Sequence, residues 1–489
     1  MTTPAAADVA GEGDGYDYSL KWKGYTAIAI SFVTSVASMS MVFVALSAIA
    51  DDFGITLGEV TWVVIVQALV ISALMLPMGR LADVVGRKKI HLIGLVVFSA
   101  GALAVAFAPT FELLIAARVV MATGNSMGQS VGTAMVVSLF PPEERGKAIG
   151  AQTTAVAIGG ASGPIIAGLS LQVLPWEALF IGITVPIAIA FVAGLIFLDE
   201  DLVSRGMDTA KNPFDWVGAI VSSIAIVVLV ITINNPFELG WTSFVMIASI
   251  VAVVVLFTVY AKWELRTPFP MLDLRLFSIR DFRMSVGARI IGFMGSTASM
   301  LLIPVYLISL RGISAAAAGG IMFLRSAGMG LAAPLAGNSS DNAGTRPFNI
   351  GGFALLSITT AVTLFFTAST PIGIVMVTMF FSGVSHGLWN VPNNSNIIGA
   401  VPAASYGVIG AFTNLTRNAG NVFGQAIASA IVATVMISKG FDIPLSDIAD
   451  SKGAGDAFTA GWRVAFGVAL VLSFVGLGFA FRTNPAEKN

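Results

Sequence analysis

Gly79-Arg80-Leu81-Ala82-Asp83-Val84-Val85-Gly86-Arg87-Lys88-Lys89 returns in weaker form about 260 residues later as Gly337-Asn338-Ser339-Ser340-Asp341-Asn342-Ala343-Gly344-Thr345. A second stretch, Ala148-Ile149-Gly150-Ala151-Gln152-Thr153, returns at a similar offset as Val408-Ile409-Gly410-Ala411-Phe412-Thr413. Two repeats at one offset describe two related halves. In an apolar chain, such halves are the parts of a machine that rocks about a site between them.

Of 489 residues, 56 % are hydrophobic and 11 % charged, and the mean hydropathy is strongly positive. Apolar runs of this extent exceed what one soluble core can hide. Runs long enough to cross about 30 Å of hydrocarbon at about 1.5 Å per residue lie near 25–49, 59–79, 90–108, 111–138, 147–172, 177–198, 215–234, 242–262, 283–309, 315–337, 348–368, 372–398, 406–437 and 460–481. The expected fold is an all-α polytopic membrane protein with fourteen transmembrane helices.

An even number puts both termini on one side, and basic residues are retained in cytoplasmic loops. With the termini inside, eighteen of the 26 Lys and Arg lie in inner segments, three (Arg311, Lys439, Lys452) in outer loops and five (Arg118, Arg289, Arg325, Arg417, Arg463) within apolar runs. A cell-membrane protein with both termini cytoplasmic follows. Asp8, Glu12, Asp14 and Asp17 precede Lys21 and Lys23, the wrong charge order for a cleaved signal peptide. Residues 1–24 read as a disordered cytoplasmic tail. No cysteine is present, which removes disulfides, thiolate metal sites and cysteine nucleophiles.

A six-helix unit needs about 200 residues, whereas the repeat offset is about 260. Two inserted helices, near 215–234 and 242–262, account for the surplus. The expected organisation is a six-helix half at 25–198, a linker with two inserted helices at 199–282, a second six-helix half at 283–482 and a cytoplasmic tail at 483–489. The outer loop near 438–459 carries Asp442, Asp447, Asp450 and Asp456; it reads as a solvated acidic loop or as a vestibule that attracts cations.

The stretch from Gly79 to Lys89, between the second and third helices, resembles the major facilitator superfamily. Gly159-Gly160-Ala161-Ser162-Gly163-Pro164-Ile165-Ile166-Ala167-Gly168 in helix five is similar to the antiporter signature of that superfamily's exporters. Asp215-Trp216-Val217-Gly218, Gly240-Trp241-Thr242-Ser243 and Pro270-Met271-Leu272-Asp273-Leu274-Arg275-Leu276-Phe277 resemble the fourteen-helix drug:proton antiporters. The resemblance implies a monomer in the lipid bilayer that moves a small-molecule substrate. It implies no nucleic-acid partner and no cofactor, with a proton gradient as the driving force.

Physical reasons for these residues stand beside the resemblance. Gly159, Gly163 and Gly168 allow close helix approach, and Pro164 removes a backbone hydrogen bond, so helix five can bend where it packs on its repeat mate. Gly79 and Gly86 permit a tight turn, while Asp83 can pair with Arg87 or with a helix N-terminus of the other half. These eight residues, Gly79, Asp83, Gly86, Arg87, Gly159, Gly163, Pro164 and Gly168, are the candidate gate.

No Asp or Glu falls in the middle of a predicted helix. Proton antiporters of the family that the chain resembles commonly carry an acid in the middle of helix one; Ser38 stands there in this chain, with Asp51 and Asp52 nearer the outer end. The interior is instead rich in arginine and amide side chains, and a buried arginine needs a partner or a water-filled cavity. Arg118, Asn125 and Gln129 share one face of helix four, and Asn414, Arg417, Asn418, Asn421 and Gln425 one side of helix thirteen. Arg325 lies near the centre of helix ten, while Arg289 lies closer to its helix end and can snorkel. His386, Asn390 and Asn393 recur along helix twelve. With Ser38 and Gln67, the candidate substrate-binding set is Arg118, Asn125, Gln129, Arg325, His386, Asn390, Asn393, Asn414 and Arg417. Inter-helix packing is the competing role for the amides and for His386.

The leading expectation is a secondary active exporter of small organic molecules or drugs, working by alternating access. A carrier for an organic anion held by Arg118 and Arg325 is the alternative, and a transport-inactive sensor or scaffold a third reading. No nucleophile–base pair, metal cluster or phosphate loop suggests an enzyme.

Overall fold

The computed structural model describes residues 20–204, 213–235, 243–402, 405–441 and 453–483, together with Phe237, Leu239, Gly240 and Ile448. Its long helices are α1 (Lys21–Phe53), α2 (Trp62–Val85), α3 (Arg87–Ala106), α4 (Phe111–Ser138), α5 (Arg145–Ser170) and α6 (Thr184–Phe197). Then come α7 (Trp216–Asn234), α8 (Phe244–Glu264), α9 (Arg280–Val305), α10 (Ala315–Ala343), α11 (Arg346–Leu364), α12 (Ile372–Gly399), α13 (Tyr406–Ser438) and α14 (Ala454–Arg482). The fold is all-α among the described residues.

Twelve helices among the described residues are long and apolar enough to cross a membrane by length and composition. Helices α4 and α10, 28 and 29 residues long, are not among the twelve. The expected run at 177–198 divides into Glu177–Gly182 and α6, next to Pro186, which has no N–H to carry a helix forward. Helix α14 begins at Ala454, ahead of the expected 460, and takes Asp456 into its first turn. Asp442, Asp447 and Asp450 of the expected acidic loop lie outside the described residues, as do most of the N-terminal tail, residues 205–212, Trp241, Thr242 and residues 484–489.

Polar contacts gather the chain's basic segments at one end of the bundle. Lys21 pairs with Glu144 at 2.7 Å, Lys88 donates to the Leu198 carbonyl at 2.6 Å, and Arg346 donates to the Phe481 carbonyl at 2.9 Å. At the opposite end the Trp176 indole donates to Asp52 at 3.2 Å and Arg311 to the Thr370 carbonyl at 2.5 Å. The first and last described segments therefore share the basic end.

Helices α1–α6 build one apolar core around Phe98, Leu114 and Trp176, and α9–α14 another around Tyr306, Phe458 and Trp462. Helices α7 and α8 pair with each other, and α7 lies against α2, where Ser223 donates to the Ala73 carbonyl at 2.9 Å. The two sets of six meet where α5 runs along α10 and α13 runs along α2 and α4.

That meeting is crosswise. The first copy of the Gly79 stretch touches the second copy of the other repeat: a Cβ on Gly79 would lie 2.6 Å from the Ala411 Cβ and 3.0 Å from the Gly407 carbonyl oxygen. The converse contact sets Gly337 against the Gly146 carbonyl, and a Cβ on Gly150 would lie 2.7 Å from the Ala333 carbonyl oxygen. Helix five thus packs on the copy of α2 and on α1, not on its own repeat mate α13. Gly159 and Gly163 serve the α1 contact, each with room for no Cβ beside the Val33 and Ala37 carbonyls. Gly168 faces open space and is not required for packing. Gly86, at φ 120°, alone makes the α2–α3 turn; Gly79 lies inside α2 and serves close approach instead.

Candidate functional site

Helices α5 and α13 begin without a side-chain cap from their own N-cap residues, Glu144 and Ser405. An uncapped N-terminus presents free N–H groups and a partial positive charge. Each is met by an aspartate from the other half. Asp83 accepts the N–H groups of Gly407 at 3.1 Å and Val408 at 2.9 Å. Asp341 accepts those of Gly146 at 2.7 Å and Lys147 at 2.9 Å.

Asp83 also pairs with Arg87 at 2.9 Å, so the two partners foreseen for it are engaged together. Arg87 is fully buried and donates onward to the Val203 carbonyl at 3.2 Å. Tyr406 closes the same face: its hydroxyl accepts from Arg145 at 2.7 Å, and its ring lies 6.0 Å from the Arg87 guanidinium and 5.6 Å from that of Arg145. The role of Asp341 was missed from sequence. Its signal was the register, for it stands four residues after Gly337 as Asp83 stands four after Gly79.

Further from the basic end, the polar stripes of α4 and α13 join. Gln129 donates to Asn125 at 2.9 Å; its side-chain oxygen accepts from Arg417 at 3.3 Å and its backbone carbonyl from Asn414 at 3.1 Å. Among the described residues, the side-chain hydrogen bonds between the two sets of six lie between this level and the basic end, or at Thr154, which donates to the Gly330 carbonyl at 3.2 Å. The halves are closed against each other at the basic end.

A second polar group surrounds α12. Arg289 is 3 % exposed and does not snorkel. It donates to the Thr413 carbonyl at 3.0 Å and to Asn390 at 2.9 Å, and its guanidinium lies 5.1 Å from the Phe293 ring. His386 packs edge-on against Phe293 and Trp389, at 5.3 and 5.1 Å between ring centroids. His386 Nδ1 and Arg325 Nε are buried without a hydrogen-bond partner. The Arg325 backbone lies against Gly383, one turn from His386 on α12.

Four expected site residues stand apart. Arg118 is 1 % exposed and spends its donors inside its own half, on the Val63 carbonyl, Met121 and Gln67, with the Phe180 ring 5.6 Å away. Seven residues separate it from Asn125, about 10 Å along the axis, so it sits beyond the level at which α13 hydrogen-bonds α4. Ser38 donates to the Ser35 carbonyl and borders a void of about 10 Å³ beside Leu179 and Phe180, room for no more than a water. Asn393 is tied to the Ser285 carbonyl at 2.9 Å, and Gln67 to Arg118. An apolar groove of about 670 Å³ between α1, α5 and Pro334 is larger, but none of the arginines lines it.

This architecture, two crosswise-latched helical sets with a polar seam between them, is that of a secondary membrane transporter. The chain belongs to the Major Facilitator Superfamily, whose family profile matches residues 28–424; it is not an enzyme family. Among relatives, the riboflavin transporter RibZ of Clostridioides difficile is 30 % identical over 418 residues, covering 84 % of this chain and 88 % of that one. The multidrug efflux pump LfrA of Mycolicibacterium smegmatis is 26 % identical over 435 residues, covering 88 % and 85 %. Among solved structures, the proton:xylose symporter XylE superposes with a TM-score of 0.62 at 13 % identity, over 94 % of this chain and 96 % of that one. The human organic anion transporter MFSD10 does so at 0.61 and 14 %, over 93 % and 99 %. These two share the fold.

Proposed function

We propose that this superfamily member is a proton-driven secondary active exporter of small organic molecules from the cytoplasm, of the fourteen-helix drug:proton antiporter type. In this reading α4 and α10 also span the bilayer, residues 25–198 and 283–482 are the moving halves, and 199–282 is the inserted pair with its linkers. The basic end, with both termini, faces the cytoplasm, and the protein acts as a monomer. The relatives named for riboflavin transport and for multidrug efflux support a small organic solute.

The carrying observation is the pair of mirrored latches, Asp83 on α13 and Asp341 on α5. One capped helix would be a packing detail; two, related by the internal repeat and both at the basic end, support the reading of an outward-facing state closed to the cytoplasm. Gly79, Gly86 and Arg87 complete the first latch, while Gly159, Gly163 and Pro164 let α5 move against α1. The polar seam of Asn125, Gln129, Asn414 and Arg417, with Arg325, His386 and Asn390 beyond it, is the substrate site.

The test is counterflow in proteoliposomes preloaded with unlabelled riboflavin, an organic anion or a lipophilic cation. Transient accumulation of the labelled solute is expected for at least one of the three. No counterflow with any, from protein that keeps its fold, would favour a scaffold.

A further inference from the structure

Three arginines come from helices that converge on α12 near His386: Arg289 of α9 donates to Asn390, one turn along α12 from His386, at 2.9 Å, the Arg325 backbone of α10 lies against Gly383, one turn on the other side, and Arg417 belongs to α13. Arg289 also donates to the Thr413 carbonyl at 3.0 Å, one turn before Arg417 on α13. None of the three is in an ion pair among the described residues. The sequence explains why: α12 and α13 contain no acid, the acid of α9 is Asp281 in its first turn, and that of α10 is Asp341, engaged in the latch.

Cations in a low-dielectric interior carry a desolvation cost of several kcal/mol each, offset only by an opposite charge or by well-aligned acceptors. Arg289 has two acceptors and a ring face; Arg417 has one acceptor at 3.3 Å. Arg325 Nε has none. Positive charge is therefore concentrated where α9, α10, α12 and α13 meet, and one guanidinium holds a buried Nε–H with no acceptor. A planar fork of N–H donors matches an oxyanion bidentately, as an ammonium does not.

We propose that the transported solute is an organic anion, bound through its carboxylate or another oxyanion to Arg325, with Arg289 and Arg417 supplying further positive charge. The proposal rests on the reading of this chain as an active transporter and narrows its substrate. Arg118, held within its own half, takes no part. The same three charges repel lipophilic cations from this site, so anion preference and cation rejection have one cause.

Thermal unfolding of the purified protein, with organic carboxylates, lipophilic cations and neutral solutes, tests the proposal. A carboxylate is expected to raise the unfolding temperature of the wild type, and a cation to leave it unchanged. Arg325→Gln should weaken carboxylate binding about a hundredfold or more, and Arg325→Lys should restore only part of it. Arg118→Gln should bind as wild type wherever it folds. Stabilisation by cations alone, or full carboxylate affinity in Arg325→Gln, would overturn the proposal. Counterflow of neutral or cationic solutes without carboxylate binding would overturn the anion site and leave the transporter reading standing; absence of all counterflow would remove that reading itself.

Discussion

Replacing both latch aspartates, Asp83→Asn with Asp341→Asn, is expected to turn a protein closed at its basic end into one that spends most of its time open there. Each carboxylate accepts two backbone N–H groups at a helix N-terminus. Such charge-assisted contacts contribute about 1.5–3 kcal/mol each, and the two latches lie on different helix pairs, so their losses should add. At about 1.4 kcal/mol per tenfold, the combined shift is two orders of magnitude or more in the ratio of the two states. Asp341→Asn is the cleaner single variant, because Asp83 also neutralises the buried Arg87. The check is thiol labelling of single cysteines introduced around Tyr406 in membranes, against a background free of native cysteine. Labelling should rise stepwise from wild type through each single variant to the double. Equal labelling in all four would mean that the aspartates do not hold the face shut.

The second large effect belongs to the crosswise glycine contacts. Gly337→Val places side-chain carbon where the Gly146 carbonyl now sits. Overpacking of this kind costs about 1–3 kcal/mol and displaces backbone. Here the displaced element is α5, so the outward-facing state should be lost and solute counterflow with it. Gly168→Val, on the same helix α5 but facing open space, is the control and should transport normally. Failure of both variants alike would point to general intolerance of α5 and α10 rather than to this contact.

The helices themselves were largely legible in the sequence, because membrane-length apolar runs punctuated by Gly86, by Gly344 and by charged clusters leave few alternatives. Asp83 was legible too, since a lone carboxylate beside a basic run at a helix end has only two kinds of partner. Periodicity, however, tells which face of a helix a residue occupies, not which neighbour covers that face. Arg118 was therefore read into the site with Asn125 and Gln129, although the neighbour at its level is α2, which supplies Val63 and Gln67. Arg289 was read as reaching for the interface, and the acceptors that hold it inward, Asn390 and the Thr413 carbonyl, come from helices about a hundred residues further on. The repeat showed that halves exist; which copy touches which was set by the packing of α5 on α10 and of α13 on α2, a long-range property of the fold.

The most direct test of alternating access is a pair of spin-label distances, one across each end of the bundle. Glu143→Cys with Asn342→Cys spans the basic end, where the residues flanking α5 and α10 meet, and Phe107→Cys with Ser369→Cys spans the opposite end. Measured in lipid with and without a transported solute and a proton gradient, the two distances should change in opposite directions, the first lengthening as the second shortens. Distances that stay fixed under every condition, or that lengthen together, would contradict a machine in which Asp83 and Asp341 close one face while the other stands open.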